Sequence, residues 1–181
     1  MEISYRITEN DFVDGQMFHS AHDAGSSRRR LIVRVLASLF YLGFAFVAFN
    51  KAEPSIAALF FVGAILLFLF LPKWTHWRYR RHFAKHYQRL FQGRLEGESN
   101  RIIIEEDGIR TYGFDGESYI KFSGIIGLKY DDKLGMVRIK PGQMFLLPIS
   151  EIGQEKTVAF LQELSRLTDI SVEDHRGWKW R

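Results

Sequence analysis

FVAFNKAEPSIAALFF, residues 46–61, joins two long apolar runs through a polar island, Asn50-Lys51-Ala52-Glu53-Pro54-Ser55. Such an island turns the chain either inside a soluble core or between two passages through a bilayer. The first run, LIVRVLASLFYLGFAFVAFN (31–50), is uncharged over its last 16 residues and carries one charge, Arg34. The second is uncharged from Pro54 to Pro72. A hydrocarbon core of about 30 Å needs roughly 20 helical residues at ~1.5 Å each, so both runs are at the short end of spanning. Leu, Phe, Ala, Val and Ile surround each run with no polar face, unlike the one-sided helix of a soluble domain. The alternative, a buried hairpin in a soluble protein, would leave a domain this small little protein with which to wrap two such helices.

The flanks orient the pair. Arg28, Arg29 and Arg30 precede the first run, with Arg34 near its start, where the side chain can snorkel to the headgroups. Lys73, Arg78, Arg80, Arg81 and Lys85 follow the second run, with Trp74 and Trp77 where an interfacial aromatic belt belongs. The island holds only Lys51 and Glu53. Lys and Arg concentrate on the cytoplasmic side of spans, so both termini are expected there, with a tight outer turn that Pro54 ends by starting the second helix. The eleven named basic and aromatic residues are the expected membrane-surface contacts, and the cationic ones would attract anionic lipid headgroups.

Charge is unevenly divided. Residues 1–94 hold 13 Lys/Arg against 6 Asp/Glu, a net +7, while residues 95–181 hold 12 against 15, a net −3. The basic excess therefore belongs to the apolar half rather than to a polar module, and nucleic-acid binding is not expected. Absence of cysteine excludes disulfides, thiolate metal sites and cysteine catalysis. The opening MEISYRITENDF lacks a basic start followed by an apolar h-region, so no cleavable signal peptide is expected.

Five segments are expected. Residues 1–30 hold a short strand, alternating at Ile3, Tyr5 and Ile7, and a weak helix capped within Glu9-Asn10-Asp11. This strand could pair with a sheet formed later. Residues 31–72 form the hairpin, with spans near 31–50 and 55–72 and a possible kink at Pro72. Residues 73–94 form a basic helix stopped near Gly93. Residues 95–170 form an α+β module, and 171–181 a polar tail with Trp178 and Trp180. In the module, RIIIEEDGIRTYGF reads as two strands about an Asp107-Gly108 turn. Asp115-Gly116, the 131–135 loop and Pro141-Gly142 mark further turns, with SYIKFSGIIGLKY, MVRIK and QMFLLP between and after them. The links are short, so the arrangement is an antiparallel meander of about five strands. Val158, Leu161, Leu164 and Leu167 then form one stripe of a helix of about 14 residues that caps the sheet.

Chemistry-bearing patterns are scarce. There is no GxxxxGK[ST], GxGxxG or GxSxG. His82 and His86 are spaced like zinc ligands on a helix, but Phe83 stands where a metalloprotease needs Glu. His19, His22 and Asp23 lack a further cluster to complete a metal site. Glu105, Glu106 and Asp107 lie at a turn, where they solvate a sheet edge. No catalytic residue, cofactor or metal is expected, and the chain is not expected to be an enzyme.

ISYRITENDF, the paired apolar runs, WRYRRHF, IIIEEDGI, FSGIIGL, FLLPISEI and TVAFLQEL together make the chain resemble the YcxB-like family of bacterial membrane proteins. The resemblance covers nearly the whole chain, with Phe122 in the place of a Trp usual in the family. It implies a pleckstrin-homology-like C-terminal part, a bent sheet closed by a helix, and a multi-pass protein of the bacterial inner membrane; it implies no activity. The expected function is a non-enzymatic interaction or regulatory module held at the membrane for an unknown protein partner. The alternative is an oligomeric transporter or channel subunit, to which Gly43, Ala45, Gly63 and Ala64 would lend close helix contacts.

Overall fold

The structure, a computed structural model, describes residues 1–51, 53–91, 99–113, 116–140, 143–178 and 180. In chain order the elements are β1 (Glu2–Tyr5), α1 (Glu9–His22), α2 (Ala24–Asn50), α3 (Pro54–Phe91), β2 (Asn100–Ile104), β3 (Gly108–Gly113), β4 (Gly116–Lys121), β5 (Ile125–Tyr130), β6 (Leu134–Ile139), β7 (Gln143–Pro148), α4 (Ile149–Ile152), α5 (Gln154–Thr168) and β8 (Val172–Asp174), with a 3-10 turn at Phe122–Gly124. Gly93, Asp115, the Pro141-Gly142 pair and Ala52, all singled out in the sequence, lie outside the described residues, as does the expected start of the module at residue 95. The chain divides into two compact units, Met1–Gln16 with Phe83–Lys179, and Met17–His82 with Trp180–Arg181.

The first unit is built on two four-stranded sheets. One has the order β1-β2-β3-β4 and the other β7-β6-β5-β8. β1 pairs antiparallel with β2, Ile3 opposite Ile102, so the N-terminal strand does join the later sheet. Strands β2 to β7 follow one another antiparallel within each sheet, as short links require. The expected single meander of about five strands becomes six strands shared between two sheets, because SYIKFSGIIGLKY does not run straight. Lys121 adopts φ −62°, ψ 149°, and the 3-10 turn at Phe122–Gly124 then ends β4 in one sheet and starts β5 in the other. A bulge between Ile125 and Gly127 follows, and Ile126 is left exposed.

Inward residues of both sheets and the apolar stripe of α5 share one core: Ile102, Ile109, Leu128, Val137, Leu147, Phe160, Leu161 and Leu164 are each at most 1% exposed. Gly153 begins α5 at φ 89°, a conformation that glycine takes without a Cβ clash. Asp169 ends it in the left-handed region, φ 55°, where Asp is among the better tolerated non-glycine residues. The 171–181 tail supplies β8, parallel to β5, with Leu128 opposite Val172. Val172 and the preceding Ile170 pack against the core, Lys129 of β5 pairs with Glu173 at 2.7 Å, and within the tail Arg176 grips Asp174 through Nη2 at 2.6 Å.

Thr8 starts α1. Asp11 donates its N–H to Thr8 Oγ1 at 3.2 Å, and Asp11 Oδ2 accepts the Thr8 N–H at 2.9 Å. This reciprocal box satisfies two backbone donors, so the cap is Thr8 with Asp11 rather than the Glu9-Asn10-Asp11 run by itself. Phe12 then packs its ring 5.5 Å from Tyr87 and 5.9 Å from Phe91.

The second unit is a helical hairpin. α3 starts at Pro54, where a missing N–H costs nothing. It continues without interruption to Phe91, with Pro72 inside it, so the basic helix expected at 73–94 is the end of α3 and not a separate element. The facing surfaces are small: Ser38, Ala45, Ala48, Ala57 and Ala64 are all buried, and a Cβ on Gly63 would lie 3.1 Å from the Tyr41 ring. Phe60 adds a 5.4 Å ring contact with Phe44. The large side chains point away: Leu36, Phe40, Phe46, Phe49, Leu59 and Leu69 are each more than half exposed. Segments Gly25–Asn50 and Pro54–Arg89 are long and apolar enough to cross a membrane, and only 17% and 11% of their most apolar windows are buried within the protein.

Candidate functional site

The eleven residues expected at a membrane surface divide by their surroundings. Arg28, Arg29, Lys73, Trp74, Trp77, Arg78, Arg81 and Lys85 are exposed; Arg30, Arg34 and Arg80 are half-buried. On α3, Trp74, Trp77, Arg78, Arg81 and Lys85 recur at three- and four-residue steps and form one stripe along the helix. Arg78 lies 5.3 Å over the Trp74 ring, Arg81 5.4 Å over Trp77, and Lys73 5.8 Å over Phe70. Each such pair contributes about 0.5–1 kcal/mol at an exposed site and holds a cation beside an amphipathic ring. The stripe therefore offers both groups that favour a headgroup layer, positive charge and interfacial Trp.

The half-buried arginines do something else. Arg30 donates from Nη1 to the Ser20 carbonyl at 2.9 Å, and its guanidinium lies 4.5 Å over the Trp180 ring. Trp180 also meets His76 at 5.8 Å and Tyr79 at 5.6 Å, so this ring is seated in the hairpin unit. Sequence reasoning left Trp180 without a place; no periodicity precedes it.

Arg34 donates from Nε to the Phe68 carbonyl at 2.8 Å and lies 3.7 Å over the Phe68 ring. The reason is Pro72. In an α-helix the N–H of residue 72 would donate to the carbonyl of residue 68, and proline has no N–H. Arg34 supplies the missing donor from the neighbouring helix, instead of reaching along its own helix toward a headgroup. Thr75 Oγ1 donates to the carbonyls of Leu71 and Pro72, both at 2.9 Å, over the same turn.

The metal-like clusters are otherwise engaged. Asp23 caps α2 by accepting from Ser26 N at 2.7 Å, and its hydrogen bonds to Ser26 hold the carboxyl below its usual range. The His22 ring stacks on Phe18 at 4.0 Å. Among the described residues, no group of three or more His, Cys, Asp or Glu side chains is placed to hold a metal ion.

In the sheet unit a polar cluster lies on one face beside β4. Arg110 donates from Nε to Glu105 at 2.5 Å and from Nη1 to Glu117, and its ring neighbour Tyr119 donates to Asp107. The Arg110 bond holds the Glu105 carboxyl below its usual range. Donation to Asp107 pushes the Tyr119 hydroxyl up to about 12. The sequence showed the Glu105-Glu106-Asp107 run but not Arg110 as its partner, because the pairing depends on strand register. Comparison with protein-family models, with curated proteins and with solved structures returns no match for this chain.

Proposed function

We propose that this chain is a non-enzymatic interaction or regulatory module anchored in the bacterial inner membrane by its hairpin, with both termini cytoplasmic. The observation that carries the reading is the inverted burial of α2 and α3. Their small residues face each other, while Phe, Leu, Ile and Val cover the outside. That distribution suits lipid, where close packing of small side chains rather than the hydrophobic effect joins helices. The Arg34–Phe68 bond fits the same setting, since an orphaned carbonyl has no water to turn to in hydrocarbon. Arg28, Arg29, Lys73, Arg78, Arg81 and Lys85 would meet anionic headgroups, each contributing about 1 kcal/mol. Use of Ala45, Gly63 and Ala64 inside the hairpin favours an anchor over a pore-forming subunit.

The succession of one antiparallel sheet, a second sheet and a closing helix supports a pleckstrin-homology-like module; the YcxB-like reading rests on the sequence resemblance alone. Its net −3 favours a protein partner over anionic lipid. Insertion is tested by alkaline carbonate extraction, and topology by single cysteines in this cysteine-free chain. Retention in the pellet is expected, with Glu53→Cys labelled by an impermeant maleimide from outside and Ser99→Cys labelled only after lysis. Release by carbonate, or the reverse labelling, overturns the reading.

A further inference from the structure

We propose that β4 is the contact surface for a second copy of this chain, the two strands pairing antiparallel about a two-fold axis at Tyr119. Among the described residues β4 stands at the end of its sheet, paired with β3 alone in the strand order. Five of its six residues are exposed and Ile120 is half-buried. The strand contains no proline and no bulge, two of the usual devices that blunt an edge.

The direction of its free backbone groups follows from the register. Phe122 N donates to Asp107 O at 3.0 Å, and the Ser118 carbonyl accepts from Thr111 Oγ1 at 3.4 Å on β3. Peptide groups alternate sides along an antiparallel strand, so Ser118, Ile120 and Phe122 turn theirs to β3. Glu117, Tyr119 and Lys121 turn theirs to the open side.

A second β4 laid antiparallel with Tyr119 opposite the partner's Tyr119 satisfies all three. Glu117 then faces the partner's Lys121, Lys121 faces the partner's Glu117, and every pair joins residues whose backbone groups already point outward. Each pair exchanges both N–H···O bonds. The side chains agree with the backbone. Glu117, which already accepts from Arg110 on β3, meets the partner's Lys121 at each end as a second cation, and two tyrosines meet at the centre, both favourable cross-strand combinations. Shifting the register by two residues to Glu117 opposite Tyr119 loses both ion pairs. The segment GESYIK is thus self-complementary in charge and in hydrogen-bond phase, as an isologous contact requires.

Cysteine scanning in the full-length, cysteine-free chain tests the register. Tyr119→Cys places the two Cα atoms about 5.5 Å apart, inside the disulfide range of about 4.4–6.8 Å. Glu117→Cys places its two copies four residues out of register, about 14 Å apart at ~3.4 Å per residue. Mild oxidation in native membranes should convert Tyr119→Cys to a covalent dimer about ten-fold more completely than Glu117→Cys. The Glu117→Cys/Lys121→Cys double variant should crosslink as well as Tyr119→Cys. In a second measurement, light scattering of the purified protein without added cysteines should show a dimer that Lys121→Glu dissociates and Lys121→Arg, which keeps the charge, preserves. Equal crosslinking of Tyr119→Cys and Glu117→Cys, no crosslinking of either, or a dimer indifferent to Lys121→Glu overturns the proposal. Retention in membranes without β4 crosslinking would remove this contact and leave the anchor reading standing; carbonate release with crosslinking would do the converse.

Discussion

The bond between Arg34 and the Phe68 carbonyl exists because of Pro72, and that dependence is measurable. Arg34→Leu leaves the carbonyl without a donor and removes the cation from the Phe68 ring. Interhelical hydrogen bonds in membrane proteins contribute about 0.6 kcal/mol on average and up to about 1.7, and an unsatisfied buried acceptor costs about 1–3 kcal/mol. The expected loss is about 1–2 kcal/mol, roughly a 5- to 30-fold change in the folded-to-unfolded ratio. Pro72→Ala restores the backbone N–H at residue 72, which then donates to Phe68 within the helix. In that background Arg34→Leu should lose only the ring contact, about 0.5–1 kcal/mol. The four proteins form a double-mutant cycle, read by SDS titration in mixed micelles with circular dichroism. A coupling of about 0.5–1 kcal/mol is expected, against the ~0.3–0.5 kcal/mol scatter of independent sites. Additive effects, or an Arg34→Leu as stable as the parent, would refute the account of why Arg34 turns to α3.

The sheet unit gives sharper numbers. Leu164 is fully buried between α5 and the sheets, so Leu164→Ala should cost about 2–5 kcal/mol in urea unfolding; a loss under about 1 kcal/mol would mean that α5 does not close the core. Gly135 has no room for a side chain: a Cβ there would sit 2.6 Å from Thr157 Cγ2 and 3.3 Å from Leu147 Cβ. Gly135→Val should therefore cost about 1–3 kcal/mol by overpacking, and a neutral result would show that α5 stands off from β6. Acid should weaken this unit. Glu2, Glu105, Glu173 and Asp174 all have folded-state carboxyls held below their usual values by Arg101, Arg110, Lys129 and Arg176. Depressed carboxylates give stability that is present above the unfolded value and lost as pH falls through the folded one. The urea midpoint should thus hold near neutrality and drop once the pH passes below about 4.5; a midpoint that rises on acidification would contradict the sign.

What was legible in the sequence was whatever repeats or interrupts a pattern. Uncharged runs flanked by basic residues gave α2 and α3, Pro54 gave the start of α3, Asp107-Gly108 gave the β2–β3 turn, and the Val158-Leu161-Leu164 stripe gave α5. What escaped depends on partners distant in sequence. SYIKFSGIIGLKY has strand character throughout, and its break between sheets comes from three residues of 3-10 turn that propensity does not mark. SVED reads as polar tail because β8 is tied to β5 by backbone pairing and the Lys129–Glu173 ion pair and offers only Val172 as an apolar side chain. Arg34 reads as a flanking charge, since its partner is a backbone carbonyl exposed by a proline on another helix.

The insertion of α2 and α3 between β1 and β2 has a consequence for biosynthesis. β1 ends at Tyr5 and its pairing partner begins at Asn100, so the first strand made must wait for the whole hairpin before it can pair. At about 5–20 residues per second, that delay is roughly 5–20 s. For a hairpin that crosses the bilayer, Ile3 can meet Ile102 only if the chain has crossed and returned. A single crossing would leave β1 in the opposite compartment and Ile102 without its cover. If the hairpin spans a bilayer, completion of the sheet would therefore depend on both crossings having been made.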